Sequence, residues 1–267
     1  MVFAVSHRRA LWAVAIGVLC GVQALAQNAG TPTLPQGLQV DVKALMVRGL
    51  EAYNAGNNTV AAQIFREAAL AGDVEAMMYL GVMYGTGRGV DRNYGASLNW
   101  FLKAADAGNG QAMCNVGILY FQGVGLPRNY TEATRWFIKS AVTGNTEAMF
   151  NVGVMLRDGL GVPMNYHEAM KWFLKADAGD SAATNAIGVL YQEGKGVDRD
   201  YTEAMNWYKK AADAGNSTAM YNIGVLYENG FGVPMDQDKA VAWYKKAASG
   251  NSDDAKAALR SLAAAKE

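Results

Sequence analysis

The chain is poor in the residues that usually carry chemistry. It has two cysteines and two histidines in 267 residues. His7 and Cys20 lie in the first 26 residues, which leaves Cys114 and His167 for the rest. A lone cysteine excludes an internal disulfide there, so stability must come from burial. No Cys/His cluster has metal-ligand spacing, so no metal and no cofactor is expected. Net charge is also missing, with 24 Lys and Arg against 24 Asp and Glu. Such a chain gives no basic footprint for nucleic acid.

The N-terminal segment has a composition of its own. His7, Arg8 and Arg9 precede the apolar run Ala10 to Ala26, which closes on Ala24-Leu25-Ala26. This pattern predicts a secretory signal peptide over residues 1–26, with cleavage before Gln27. Cleavage removes two arginines and no acid, so the mature charge is 22 − 24 = −2. Export to a bacterial periplasm, or secretion as the alternative, with membrane contact only in transit, is the corresponding expectation. Residues 27–42 are polar, hold Pro32 and Pro35, and show no period, as in a flexible linker.

Glycine is abundant, and its placement is periodic. "GTGRGVDRNY", "FQGVGLPRNY", "RDGLGVPMNY", "QEGKGVDRDY" and "ENGFGVPMDQ" follow one another along the chain. Trp100, Trp136, Trp172, Trp207 and Trp243 recur with them, 36, 36, 35 and 36 residues apart. A fixed period of this length indicates a solenoid. A phosphate-cradling loop would occur once, after a strand, and none of the five carries Gly-Lys-Ser/Thr.

Each unit reads as two helices. Ala148, Val152 and Leu156 are four apart on one helix face. Gly153 lies inside this helix, as do Gly81, Gly117, Gly188 and Gly224 in theirs. An interior Gly costs about 1 kcal/mol against Ala, so its recurrence implies a close approach by the partner helix. Gly159 and Gly161 stop the helix. Asn165 is an N-cap with Glu168 three residues on, and Asn129/Glu132 and Asp200/Glu203 repeat the pattern. Ala169, Trp172, Phe173 and Ala176 form the apolar stripe of the second helix. The five tryptophans are expected in the core. The third unit ends "KADAGD" where others read close to "KAADAG". Its second helix is therefore expected to end about one residue early, with a local change of angle to the next unit.

Together these motifs closely resemble the Sel-one-like repeat, a relative of the tetratricopeptide repeat. The resemblance covers five units over residues 75–254. Residues 43–74 look like a plain tetratricopeptide-like unit, with Gly49, Tyr53, Gly56, Ala61, Phe65 and Ala68 at that spacing. Residues 255–267 read as a capping helix for the exposed end. The resemblance implies an all-α, right-handed solenoid of antiparallel helix pairs, with the first helix of each pair lining a concave groove.

Counting from the interior glycine, the apolar positions −1, +1 and +2 wrap most of the first helix, as in a sandwiched helix. Positions −3 and +4 vary in chemistry instead. Position −3 holds Met78, Cys114, Phe150, Asn185 and Tyr221, and position +4 holds Gly85, Phe121, Arg157, Gln192 and Glu228. These are the expected floor of a partner-binding groove. Asn115, Asn151 and Asn222 occupy position −2. By resemblance they either hold an extended peptide or tie one helix pair to the next.

The expected function is an exported scaffold or adaptor that binds a protein or peptide and is not an enzyme. The family's bacterial members imply a role in envelope assembly or signalling. Two alternatives stand beside it. A cell-wall or β-lactam-acting hydrolase would use Asp158 and Glu193 with Arg157 nearby, or a Cys114–His167 pair. A polysaccharide-binding scaffold would use Phe121, Phe150 and Tyr221.

Overall fold

The computed structural model describes residues 41–264. The expected signal peptide and residues 27–40 of the linker lie outside the described residues, as do residues 265–267 of the expected capping helix. The described residues form thirteen α-helices and no strand. They divide into two compact units, residues 41–145 and 146–264. None of these helices is long and apolar enough to cross a membrane.

Unit one holds α1 (Val42–Asn54), α2 (Asn58–Leu70), α3 (Val74–Thr86), α4 (Tyr94–Asp106), α5 (Gly110–Gln122) and α6 (Tyr130–Val142). Unit two holds α7 (Thr146–Asp158), α8 (Tyr166–Ala176), α9 (Ser181–Glu193), α10 (Tyr201–Asp213), α11 (Ser217–Asn229), α12 (Gln237–Ser249) and α13 (Asp253–Ala264). Within each unit, consecutive helices pair antiparallel and the pairs stack one on the next, the packing of an α-solenoid. Residues 87–93 and their four equivalents connect the first helix of a pair to the second.

The recurrent sequence features have direct physical counterparts. Asn129 and Asn165 accept from the backbone N–H of Glu132 and Glu168, both at 3.0 Å, and so start α6 and α8. Gly159 and Gly161 adopt φ of 67° and 70°, which turns the chain out of α7. Inside the first helices, each interior glycine seats an aromatic ring of the second helix. A Cβ at Gly153 would lie 2.4 Å from Phe173 Cε1. Phe101, Phe137, Tyr208 and Tyr244 sit on Gly81, Gly117, Gly188 and Gly224 in the same way. In α1 and α2, Gly49 and Phe65 do likewise.

Those rings are the core, and this corrects the expectation for tryptophan. Phe101, Phe137, Phe173, Tyr208 and Tyr244 are fully buried, while the preceding Trp residues are half-buried. Each Trp lies beneath a lysine one turn on, Lys175 Nζ being 4.2 Å from the centre of the Trp172 ring. Lys103, Lys139, Lys210 and Lys246 cover the other four. The position one before the glycine-facing ring points along the side of the pair, so the indole keeps an exposed face for the cation.

The third repeat is shortened as its sequence implies, and by more than expected. α8 has 11 residues where the second helices of the other four repeats have 13. It stops at Ala176, and Asp177 takes the capping position. The Asp177 carboxylate accepts from Thr184 Oγ1 at 2.6 Å and pairs with Lys210 of α10.

Candidate partner-binding face

The candidate site is the stretch of each first helix from position −3 to +4, two helical turns long. In unit two these helices are α7, α9 and α11. Their neighbourhood is fixed by side chains. Asn222 Nδ2 on α11 donates to Asn185 Oδ1 on α9 at 2.9 Å. This bond joins consecutive repeats, the second of the two roles open to the asparagines.

Six residues at these positions in unit two are partly exposed: Phe150, Arg157, Asn185, Gln192, Tyr221 and Glu228. Phe150 lies against the core ring Phe173, with centroids 5.8 Å apart, and Tyr221 lies against Tyr244 at 5.4 Å. Below them, Tyr208 Oη donates to Gln192 Oε1 at 2.9 Å, and Tyr244 Oη donates to Glu228 Oε2 at 2.5 Å. In the fourth and fifth repeats the +4 side chain therefore closes over the far end of its own repeat's core ring. Burial, together with the nearby Glu228 carboxylate, pushes the Tyr244 phenol well above its ordinary range. Burial raises Tyr221 too, helped by the negative charges of Asp254 and Glu228. Both phenols stay neutral at physiological pH and present donors rather than charge.

Unit one differs. Met78 is partly exposed and packs beside Phe101 and Trp136. Cys114 and Phe121 are buried, at 0% and 8% exposure. Both were expected on the groove floor; instead Phe121 turns against Tyr130, with ring centres 5.4 Å apart. Asn115 and Asn151 are buried at 5% and 2%. The sequence could not reveal this, because burial at positions −3 and +4 depends on which side chains of the packed helices turn onto them.

The groups considered for catalysis are engaged or unsuited in different ways. Arg157 grips Asp158 through two hydrogen bonds of 2.7 and 2.8 Å. Glu193 pairs with Lys195 at 2.9 Å. Cys114 is buried, whereas His167 is exposed. Among the described residues, no group of three or more His, Cys, Asp or Glu side chains is arranged to hold a metal ion.

The Sel1 repeat family model matches five segments, residues 74–109, 110–141, 146–176, 181–216 and 217–252. Among solved structures, the chain is similar to a Sel1 repeat protein from Oxalobacter formigenes. They share 34% identity over 78% of this chain and 85% of that one, with a TM-score of 0.73. It is also similar to a protective antigen of uropathogenic Escherichia coli that displays an SLR fold, at 32% identity and a TM-score of 0.72. That match covers 83% of this chain but 48% of the antigen. An immunity protein from Pseudomonas aeruginosa, 20% identical with a TM-score of 0.52, shares the fold over 82% of this chain and 85% of its own. A search of curated proteins found no match.

Proposed function

This chain belongs to the Sel1 repeat family, and on that premise we propose that it is an exported scaffold that holds a protein partner on the first-helix faces of its repeats. Stacked helix pairs of this kind offer extended surfaces for binding other proteins. The observation that carries the proposal is the contrast within one helix. The glycine-facing core is nearly the same in every repeat, while partly exposed Phe150, Arg157, Asn185, Gln192, Tyr221 and Glu228 differ from one repeat to the next. Aromatic and Arg side chains in such a surface are the types that dominate interface energetics. Export is supported by the positive start and apolar run of residues 7–26.

A photo-crosslinking residue placed at Gln192 or Glu228 tests this in cells. Crosslinks to a discrete protein are expected from both positions. Exposed second-helix positions Lys171 and Asn206 should give none. Mass spectrometry of the adduct should find the chain starting at Gln27. Crosslinks confined to Lys171 and Asn206 would move the binding surface to the second helices. Equal crosslinking from all four would reject a defined face.

A further inference from the structure

The first repeat lacks a side chain at the position that closes over the core ring in the fourth and fifth repeats. At position +4 the later repeats carry Phe121, Arg157, Gln192 and Glu228, and two of these reach the hydroxyl of their own core ring. The first repeat has Gly85 there, and its core ring is Phe101, which has no hydroxyl. The space beside that ring is open. It forms a cavity of about 210 Å³ between α3, α4 and α5, lined by both Gly85 and Phe101.

The cavity has a built interior. Phe101, Ile118 and Leu119 supply a buried apolar wall. Ser97 stands where the other repeats have Ala133, Ala169, Ala204 and Ala240, and its hydroxyl donates to the Gly81 carbonyl at 2.7 Å. Asn115, 5% exposed, also lines the cavity, and its side-chain amide has no hydrogen-bond partner among the described residues. No fully enclosed polar side-chain atom is left unpaired among these residues. The Asn115 amide therefore opens into the cavity it lines. Water or a ligand entering the cavity can therefore pair with it.

The lining selects the ligand. Thr86, Tyr94 and Gln122 complete the polar part of the lining, but no charged side chain contributes, so an ionised group would enter without an opposite charge beside it. An apolar cavity of about 150 Å³ holds benzene, so 210 Å³ accommodates a Leu, Met or Phe side chain. The Asn115 amide offers a donor and an acceptor together, the complement of a peptide backbone amide. We infer that this cavity is an anchor pocket for one uncharged apolar side chain of a partner peptide, whose adjoining backbone amide pairs with Asn115. The inference rests on the proposed scaffold role.

The test uses the mature chain, with N-acetyl-phenylalanine amide, N-acetyl-leucine amide and toluene as probes, followed by NMR. Saturable shifts at Ile118 and Leu119 are expected in the millimolar range, the affinity such small ligands reach. N-acetyl-aspartate amide should cause none. Gly85 is helical and has no positive φ, so Gly85→Gln can copy the fourth repeat and fill the space. That variant should keep its melting temperature and lose all binding. Asn115→Leu should still take toluene but lose the preference for the two amides. No shift in the wild type, or equal shifts in Gly85→Gln, would overturn the pocket. Crosslinking from Gln192 and Glu228 without amide binding would remove the pocket and leave the scaffold role. Amide binding with no crosslinked protein would remove the scaffold role and the peptide assignment with it.

Discussion

Trp172 and Phe173 are neighbours in the chain and differ in energetic weight. Phe173 is fully buried on Gly153, whereas Trp172 is half-buried under Lys175. Phe173→Ala should therefore cost about 3–5 kcal/mol, the usual range for a buried aromatic. Trp172 keeps one face exposed, so Trp172→Ala should cost less, about 1–2 kcal/mol. Urea midpoints of the two variants check the order. Equal losses would place the indole in the core after all. The recurrence of Trp made it the obvious core candidate, but recurrence reports only that a position is used in every repeat. The glycine one helix earlier was the better guide, since a missing Cβ implies something large pressed against it.

At the scale of the helix, the shortened α8 shows how one missing residue is absorbed. The deletion falls at the helix end, and the next helix keeps its register through Asp180, whose carboxylate accepts from the Ala182 N–H at 2.7 Å. Asp177 then links three elements, accepting from Thr184 of α9 and pairing with Lys210 of α10. Thr184 is 3% exposed, so losing its main acceptor leaves a buried hydroxyl on a weaker 3.2 Å bond to the Asp180 carbonyl. Asp177→Ala should cost about 1–2 kcal/mol. Lys210→Ala should cost under about 1 kcal/mol, because that side chain is 56% exposed. Thermal unfolding of the two variants separates them. A larger loss in Lys210→Ala would mean that the ion pair, not the Thr184 bond, holds the junction. The sequence predicted an early helix end here; it did not show that an aspartate would take over the cap.

Across the molecule, the buried phenols set a pH dependence. Burial, with Glu75 and Tyr53 nearby, pushes Tyr79 up to about 12. Burial also raises Tyr208 and Tyr244 well above the ordinary phenol range. The folded chain then holds these protons to higher pH than the unfolded chain does. Their contribution is complete below about pH 10 and falls as pH rises toward the folded values. Tyr244→Phe should lose about 1 kcal/mol at pH 8 with its bond to Glu228, yet decline less steeply above pH 10. Phenylalanine already fills this place in the first three repeats, at Phe101, Phe137 and Phe173, so the fold tolerates it. Urea unfolding at pH 8 and pH 11 provides the comparison. An unchanged alkaline slope in Tyr244→Phe would show that this phenol does not titrate in the transition.

The helix pairs, the interior glycines, the caps at Asn129 and Asn165 and the break in the third repeat are all legible in the sequence. Each is set by local backbone chemistry or by a period that any stacked pair must obey. The candidate face is only partly legible. Its positions follow from the wheel of one helix, but exposure at each depends on which side chains of the partner helix meet it. Phe121 is buried because Tyr130 meets it, whereas Phe150 keeps an exposed edge against Phe173. Gly85 reads in the sequence as one more variable residue. Only packing decides that its missing side chain opens a cavity beside Phe101, because the volume belongs to three helices at once.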